Sequence, residues 1–248
     1  MNSPTALIFG VTGQDGAYLS KILLENGYKV FGTSRDLITA NKTNLERLGI
    51  QNDVKLITTN LSQFRSIIIA LDKTKPDMVF HLAGQSSVGL SFELPYESVE
   101  SILISTLNIL EALKLLNKKI KLFLPCSSDC FGTTTKNNPA NESTPFDPKS
   151  PYAVAKASSY WLAKTYREAY GLNVAVGFLS NHESPLRGRH FVTSKLFGGI
   201  RKILNKEIDC LSFGNTEIIR DWGWAPLYAE AIYKITTKQP KNDFIVSS

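Results

Sequence analysis

Two side chains four residues apart, Tyr152 and Lys156 in SPYAVAK (150–156), form a pair with a chemical use. In a helix opening at Ser150 and Pro151, that spacing puts both on one face. An ammonium held beside a phenol favours the phenolate. The pair therefore predicts a tyrosine whose pKa is lowered toward working pH and which serves as general base for a hydroxyl proton. A second candidate lies in CSSDCFG (126–132), where Asp129 follows LFLP (122–125), an apolar run of the kind found in the middle of a sheet. An ionised carboxylate is costly in such surroundings. Asp129 is a surface loop residue, a cap, or part of the chemistry.

A third feature suggests what such a base would act with. GVTGQDG (10–16) places Gly10, Gly13 and Gly16 between a strand-like and a helix-like stretch. Glycine permits the tight turn, lets the backbone approach a pyrophosphate and allows close packing of helix on strand, while the helix N-terminus offers amide donors and partial positive charge. The spacing is GxxGxxG rather than GxGxxG, and its place between strand and helix predicts a dinucleotide cradle. The second strand ends in TSRD (33–36). An acidic residue there binds a ribose 2′-hydroxyl, whereas an arginine pairs with a 2′-phosphate. Arg35 comes first, so the expected cofactor is NADP rather than NAD. Asp36 supports the reverse choice, and the alternative is that both are solvated loop charges.

These groups need a scaffold, and the chain alternates strand and helix patterns. TALIFGV (5–11), KVFGTS (29–34), VKLITT (54–59), DMVFHLAG (77–84), IKLFLPC (120–126) and NVAVGFLS (173–180) read as strands. Helical patterns occupy AYLSKILLEN (17–26), which stops at Gly27, and the stretches 62–73, 97–117 and 151–170. That order predicts an α/β fold, a doubly wound, mostly parallel, Rossmann-type sheet with helices on both faces. From residue 181 the regularity gives way to NHESPLRGRHF, a helix-like VTSKLFGGIRKILNK and shorter segments ending in FIVSS. The expected organisation is a dinucleotide-binding domain over 1–180 and a smaller, interleaved, partial substrate lobe over 181–248.

Composition narrows the classes. A chain of 248 residues with 43% hydrophobic content can bury a core of this size. No basic n-region precedes TALIFGV and no apolar stretch approaches the roughly 18 residues of a membrane helix, so a soluble, cytoplasmic protein is expected. Three cysteines, at 126, 130 and 210, make no disulfide framework, and with three histidines they offer no zinc-like spacing. Small buried thiols and no metal are the expectation. The net charge of +6 suits an anionic ligand. Its lysines and arginines are scattered rather than gathered among aromatics, which points to a phosphate-bearing small molecule and away from nucleic acid.

Taken together, GVTGQDG, HLAGQSS (81–87), SSDCFG (127–132), SPYAVAK, NHESP (181–185), FVTSK (191–195) and RDWGWA (220–225) resemble the extended short-chain dehydrogenase/reductase superfamily and, within it, the GDP-mannose 4,6-dehydratases. The likeness runs from residue 5 to 248. GxxGxxG and YxxxK mark the superfamily at large; GQDG with NHESP, FVTSK and RDWG mark the dehydratase branch. The resemblance implies an NADP-dependent lyase that converts GDP-mannose into a 4-keto-6-deoxy product. A nucleotide-sugar 4-epimerase or 4-ketoreductase, or a non-catalytic nucleotide-binding relative, is the alternative on the same scaffold.

In residues, the resemblance implies that Tyr152, beside Lys156, takes the proton of the sugar 4-hydroxyl as hydride leaves C4, while Ser127 bonds the developing ketone. Asp129 would then move a proton from C5 to the departing C6 hydroxyl. The family has glutamate at that place. Aspartate is one methylene shorter, and a misplacement of about 1 Å costs on the order of a hundredfold in rate. Ser128 reads as a turn hydrogen-bonder or a ligand contact, and Cys130 as inert packing unless its thiol is exposed and acidic.

Implied cofactor contacts begin with Gly10, Thr12, Gly13, Gln14, Asp15 and Gly16 in the first turn and Arg35 after the second strand. Leu61, Leu82, Ala83 and Gln85 follow at strand ends, where ligands bind in open sheets, and Leu179, His182 and Arg187 complete the set with Tyr152 and Lys156. A satisfied core histidine is the other reading of His182. Implied substrate contacts are Ser87, Asn181, Val192, Lys195 and Arg220, the last two supplying the point charge and fork that a diphosphate takes. The loop carrying Arg187 and Arg189 would also serve tetramer contacts, or consist of ordinary solvated basic residues. Partners implied are a GDP-hexose and a second copy of the chain, as dimer or tetramer, with no nucleic acid and no membrane. Family members continue past the segment corresponding to FIVSS with elements that complete the substrate lobe.

Overall fold

In the computed structural model, residues 3–117, 119–135, 137–238 and 241–248 are described. The first half runs β1 (Thr5–Phe9), α1 (Gln14–Glu25), β2 (Lys29–Ser34), α2 (Thr43–Arg47), β3 (Lys55–Thr58), α3 (Phe64–Thr74) and β4 (Met78–His81). The second half runs α4 (Val88–Glu93), α5 (Pro95–Val99), α6 (Ser105–Leu116), β5 (Lys121–Ser127), α7 (Pro151–Tyr170) and β6 (Asn173–Leu179). Four consecutive buried residues in β1 and in β4 explain why these strands read as unbroken apolar runs: both of their faces are covered. On one side Leu7, Phe9, Val79 and Leu122 pack against Ile67, Ile109, Leu113 and Ala163 of α3, α6 and α7. On the other, Ala6, Ile8, Phe80 and Phe123 pack against Leu19 and Leu23 of α1 and, from later in the chain, Ala229 and Ile232.

The remaining elements are β7 (Asn181–Glu183), α8 (Val192–Leu204), β8 (Trp222–Trp224), α9 (Ala225–Lys238) and β9 (Asp243–Val246). Among the described residues the main sheet is parallel throughout, in the order β3-β2-β1-β4-β5-β6-β9. The order reverses between β1 and β4, and a crevice opens at their carboxyl ends. β7 and β8 form a separate parallel pair in which Asn181 faces Trp222 and His182 faces Gly223. NHES and RDWGW are thereby held side by side. α9 and β9 return to the large sheet: α9 covers α1, and Arg167 clamps Asp243 with two bonds of 2.6 and 2.7 Å.

Several boundaries differ from the expected ones for physical reasons. α1 starts at Gln14 instead of Ala17, because Gly13 is an extended N-cap and half of the glycine motif is the first helical turn. The stretch expected as one helix over 97–117 is α5, a π turn at Glu100–Ile104 and α6. The π turn lies against the loop after β4, where the Ser101 hydroxyl accepts from the Gln85 amide at 3.1 Å. α2 and α4 are too short to show a helical period. No described helix is long and apolar enough to cross a membrane.

Candidate active site

The crevice is a cleft of 660 Å³ walled by the β1–α1 turn, the ends of β4, β5 and β6, the start of α7 and the segment after β7. Gly10 has φ +88°, and a Cβ there would stand 2.6 Å from the Ala83 amide nitrogen. A Cβ on Gly16 would stand 2.3 Å from the Gly10 carbonyl oxygen. Side chains at these two places would fill the cradle or push the helix off the strand. Because the N-cap is Gly13, no side chain caps α1, and its first-turn amides remain available as anion donors.

Gln14 and Asp15 do not simply face the cleft. Gln14 is buried; its amide donates to the His182 carbonyl at 3.1 Å, and it accepts from the Ser184 hydroxyl at 2.7 Å. Asp15 lies 3.1 Å from His182 Nε2. The other ring nitrogen, Nδ1, is 2.7 Å from the Ser180 carbonyl, which can only accept, so Nδ1 donates, and protonation of Nε2 completes an ion pair with Asp15. Burial works against charge on both partners, but the mutual attraction and hydrogen bonds prevail, lowering the Asp15 pKa and raising that of His182. The imidazole ring stacks on Tyr228, with ring centroids 4.4 Å apart. GQDG and NHES are thus two halves of one latch.

Opposite the glycine turn, the end of β5 delivers Ser127, whose Oγ accepts from the Asp129 amide and donates to Asp129 Oδ2, each at 3.2 Å. Ser127 therefore caps the short 3₁₀ turn that carries Asp129. Ser150 caps α7 through the Ala153 amide at 3.1 Å, and Pro151 is the first helical residue, as its fixed φ favours. Tyr152 and Lys156 share the cleft-facing side of α7, with Lys156 Nζ 5.8 Å from the tyrosine ring centroid. One expectation fails. The Tyr152 pKa is raised above the ordinary tyrosine value, because burial disfavours the phenolate and outweighs its hydrogen bond with Ser127, while the Asp129 charge raises it further. Burial also lowers the pKa of Lys156, whose ammonium donates to the Pro125 carbonyl at 2.8 Å rather than to the phenol.

Thr12, Leu82, Ala83, Gln85, Ser87, Leu179, Asn181, Arg187, Val192 and Arg220 all line this cleft. Gln85 also braces its own loop by donating to the Ser87 carbonyl at 2.8 Å. Three anticipated contacts lie outside the lining. Leu61 is packed at a core margin, with its carbonyl taken by Asn108 at 3.0 Å. Arg35 is exposed, with no polar side-chain partner among the described residues, while Asp36 spends its carboxylate on the Ile38 amide and Thr39 hydroxyl, both at 2.8 Å. Those bonds hold its pKa low. Lys195 donates to the Ser212 carbonyl at 3.0 Å and faces an adjoining basin of 980 Å³, which Arg47, Arg189, Arg201 and Lys202 also line.

Asn44, in the cleft lining, falls in no quoted motif, and His81, which opens HLAGQSS, drew no role of its own. Asn44, on α2, donates to the carbonyls of Thr12 at 3.0 Å and Leu186 at 3.3 Å, pinning the glycine turn to the loop after β7. His81 is buried at the end of β4, 2.9 Å from the Ser105 hydroxyl, and burial followed by the Lys156 charge depresses its pKa to about 3. The expectation of three buried thiols is corrected at Cys210, which is exposed in the segment between α8 and β8; Cys126 and Cys130 are buried. Among the described residues no three His, Cys, Asp or Glu side chains gather as a metal site.

A parallel sheet whose glycine-built first turn faces a Tyr–Lys helix defines the short-chain dehydrogenase/reductase class. The fold matches that of the UDP-glucose 4-epimerase of Thermus thermophilus, solved in complex with NAD, at a TM-score of 0.85 and 24% identity over 98% of this chain and 78% of that one. Residues 7–248 match the family model described as GDP-mannose 4,6 dehydratase. The GDP-mannose 4,6-dehydratase of Vibrio cholerae serotype O1 is 38% identical over 255 residues, 100% of this chain and 68% of that protein. The Drosophila melanogaster enzyme of that name is 36% identical over 251 residues, 98% of this chain and 63% of its own length. The chain belongs to the GDP-mannose 4,6-dehydratase family, and it spans about two thirds of the length of these relatives.

Proposed function

We propose that the chain carries an NADP-dependent nucleotide-sugar 4,6-dehydratase activity on GDP-mannose or a closely related GDP-hexose, and works in the cytoplasm as a homo-oligomer. The observation that carries this reading is the meeting of Ser127, Asp129, Tyr152 and Lys156 in one cleft across from the uncapped N-terminus of α1. A dinucleotide fits the residues present: Gly10 leaves no room for a side chain beside Ala83, and Thr12, Gly13 and Leu82 line the same wall. What a bound nicotinamide supplies is a reversible store for hydride. Arg35, exposed beyond β2 and without a polar partner among the described residues, supports a 2′-phosphate and hence NADP over NAD.

Tyr152 takes the proton of the sugar 4-hydroxyl, and Ser127, whose hydroxyl turns from Asp129 Oδ2 to the substrate, donates to the oxygen that becomes the 4-ketone. Since burial raises the tyrosine pKa, the Lys156 ammonium is the charge that must favour the phenolate during this step. The ketone acidifies C5. Asp129 removes that proton and returns it to the C6 hydroxyl as water departs. Arg220 and the helix amides lie on the walls where the anionic nucleotide would rest.

A second reading is favoured by one observation. Asp129 is a methylene shorter than the family's glutamate, and its carboxylate is engaged by Ser127 at 3.2 Å, an arrangement compatible with oxidation and reduction at C4 without elimination. Incubation with NADP⁺ and GDP-mannose separates the readings. A product lighter by one water supports the dehydratase, an isomer of unchanged mass supports a 4-epimerase, and absence of turnover with any GDP-hexose, while NADPH binds, defeats both.

A further inference from the structure

Cys126 and Cys130 bracket the residues assigned to the sugar. Their sulfurs are 3.5 Å apart, one at the end of β5 and the other in the turn that follows. Cys126 lines the cleft, whereas Cys130 lies wholly beneath it. Both sulfurs press on the helix that carries the Tyr–Lys pair: Cys126 contacts the Lys156 carbonyl at 3.3 Å and Cys130 the Ala153 carbonyl at 3.8 Å. Two buried thiols elsewhere in a core would be small apolar packing. Here they touch each other, and one of them lines the cleft.

We propose that Cys126 and Cys130 form a reversible disulfide site that takes a peroxide as oxidant and, on closing, displaces Ser127 and Asp129. The Cys126 sulfur attacks one peroxide oxygen; an S–O bond forms, the O–O bond breaks, and the thiol proton leaves with the departing oxygen as water. The Cys130 sulfur then attacks the resulting sulfenic sulfur; the S–S bond forms, the S–O bond breaks, and a second water carries off the second thiol proton. Two thiols have lost two electrons, and the peroxide has gained them. The Cys130 pKa is lowered, chiefly because its sulfur accepts the Cys126 S–H against the opposing effect of burial, and this suits it to the second attack. Burial keeps the Cys126 thiol protonated, which makes the first attack the slow step.

A disulfide bond is about 2.05 Å long, so the sulfurs must close by roughly 1.5 Å. The ring so formed contains both Ser127 and Asp129, which are already bonded to each other, and the short turn absorbs the movement. The site itself is independent of the proposed function; its effect on turnover rests on that reading.

The test uses the full chain with Cys210→Ser, so that only the two thiols remain. After mild peroxide the intact mass should fall by two hydrogens, a peptide map should join residue 126 to residue 130 within one chain, and dithiothreitol should reverse both. Turnover should drop on the order of a hundredfold and recover with the reductant. In Cys130→Ala, and in Cys126→Ser should the first variant fold poorly, the cross-link and the reversible loss should both vanish. Unreacted thiols, a link between two chains, or reversible loss persisting in the single-thiol variants would overturn the proposal. If the reduced protein turns over no GDP-hexose, the functional reading falls, while the mass and peptide map still decide the disulfide.

Discussion

On the glycine-turn wall of the cleft the polar side chains end on other protein groups: Gln14 on His182 and Ser184, Asp15 on the His182 ring, Asn44 on Thr12 and Leu186. On the substrate wall Arg220 is exposed, and among the described residues it donates to its neighbour's carbonyl, Ile219, at 3.2 Å. One wall is built before any ligand arrives, and its donors toward a ligand are backbone amides fixed by a helix. The other offers the exposed guanidinium of Arg220. Pre-organised backbone suits a resident cofactor, and an exposed charge suits a substrate that must enter and leave.

Substitutions can break this contrast or sharpen it. Tyr152→Phe removes the proton acceptor, so kcat should fall by about 10²–10⁴-fold with NADPH affinity retained, as measured by turnover and nucleotide fluorescence. A smaller loss would mean that another group takes the proton. Asp129→Glu should raise elimination, by up to on the order of a hundredfold if reach is what limits it; a decrease would show that the turn is fitted to the shorter acid. Arg220→Ala should weaken GDP-mannose binding on the order of tenfold, the loss of a charge-assisted bond, and leave the unfolding midpoint in denaturant unchanged. Loss of stability in that variant would place the arginine in the scaffold instead.

The smallest effect concerns the built wall. His182 has a raised folded pKa, so its contribution to stability is complete below its ordinary value of 6.5 and is lost as pH rises through the folded value. Asp15 has a lowered folded pKa, so its contribution is complete above its ordinary value of 3.8 and is lost as pH falls through the folded value. The pair acts in full between those two ordinary values. His182→Gln should therefore be less stable than the parent by about 1–2 kcal/mol near pH 5.5, with the gap narrowing as pH rises well beyond 6.5. A gap independent of pH would mean that the ring acts through its stacking on Tyr228 alone.

The sheet, its parallel order and the place of the cleft were legible from the sequence, because doubly covered strands leave unbroken apolar runs and the glycines mark the first crossover. The Tyr–Lys helix was equally legible from its cap and spacing. The raised tyrosine pKa was not: it follows from burial of the phenol where β5, α7 and the loop after β4 meet, which no local pattern records. Nor could spacing assign the side chains of Gln14 and Asp15, since their partner is strand β7, far along the chain. His81 reads as one more apolar-strand residue until β4 is seen to end beside Lys156.

The docking of α9 on α1, with β9 pairing beyond β6, joins the first helix to segments far along the chain, Ala225–Lys238 and Asp243–Val246. While the chain emerges, the helix carrying the glycine turn has one flank unsealed and β6 is an open edge. The dinucleotide cradle thus reaches its finished form only after α9 has been made. Contacts so distant in sequence form slowly, and a nascent chain lacking α9 would expose Leu19 and Leu23 to other proteins before it could hold a nucleotide.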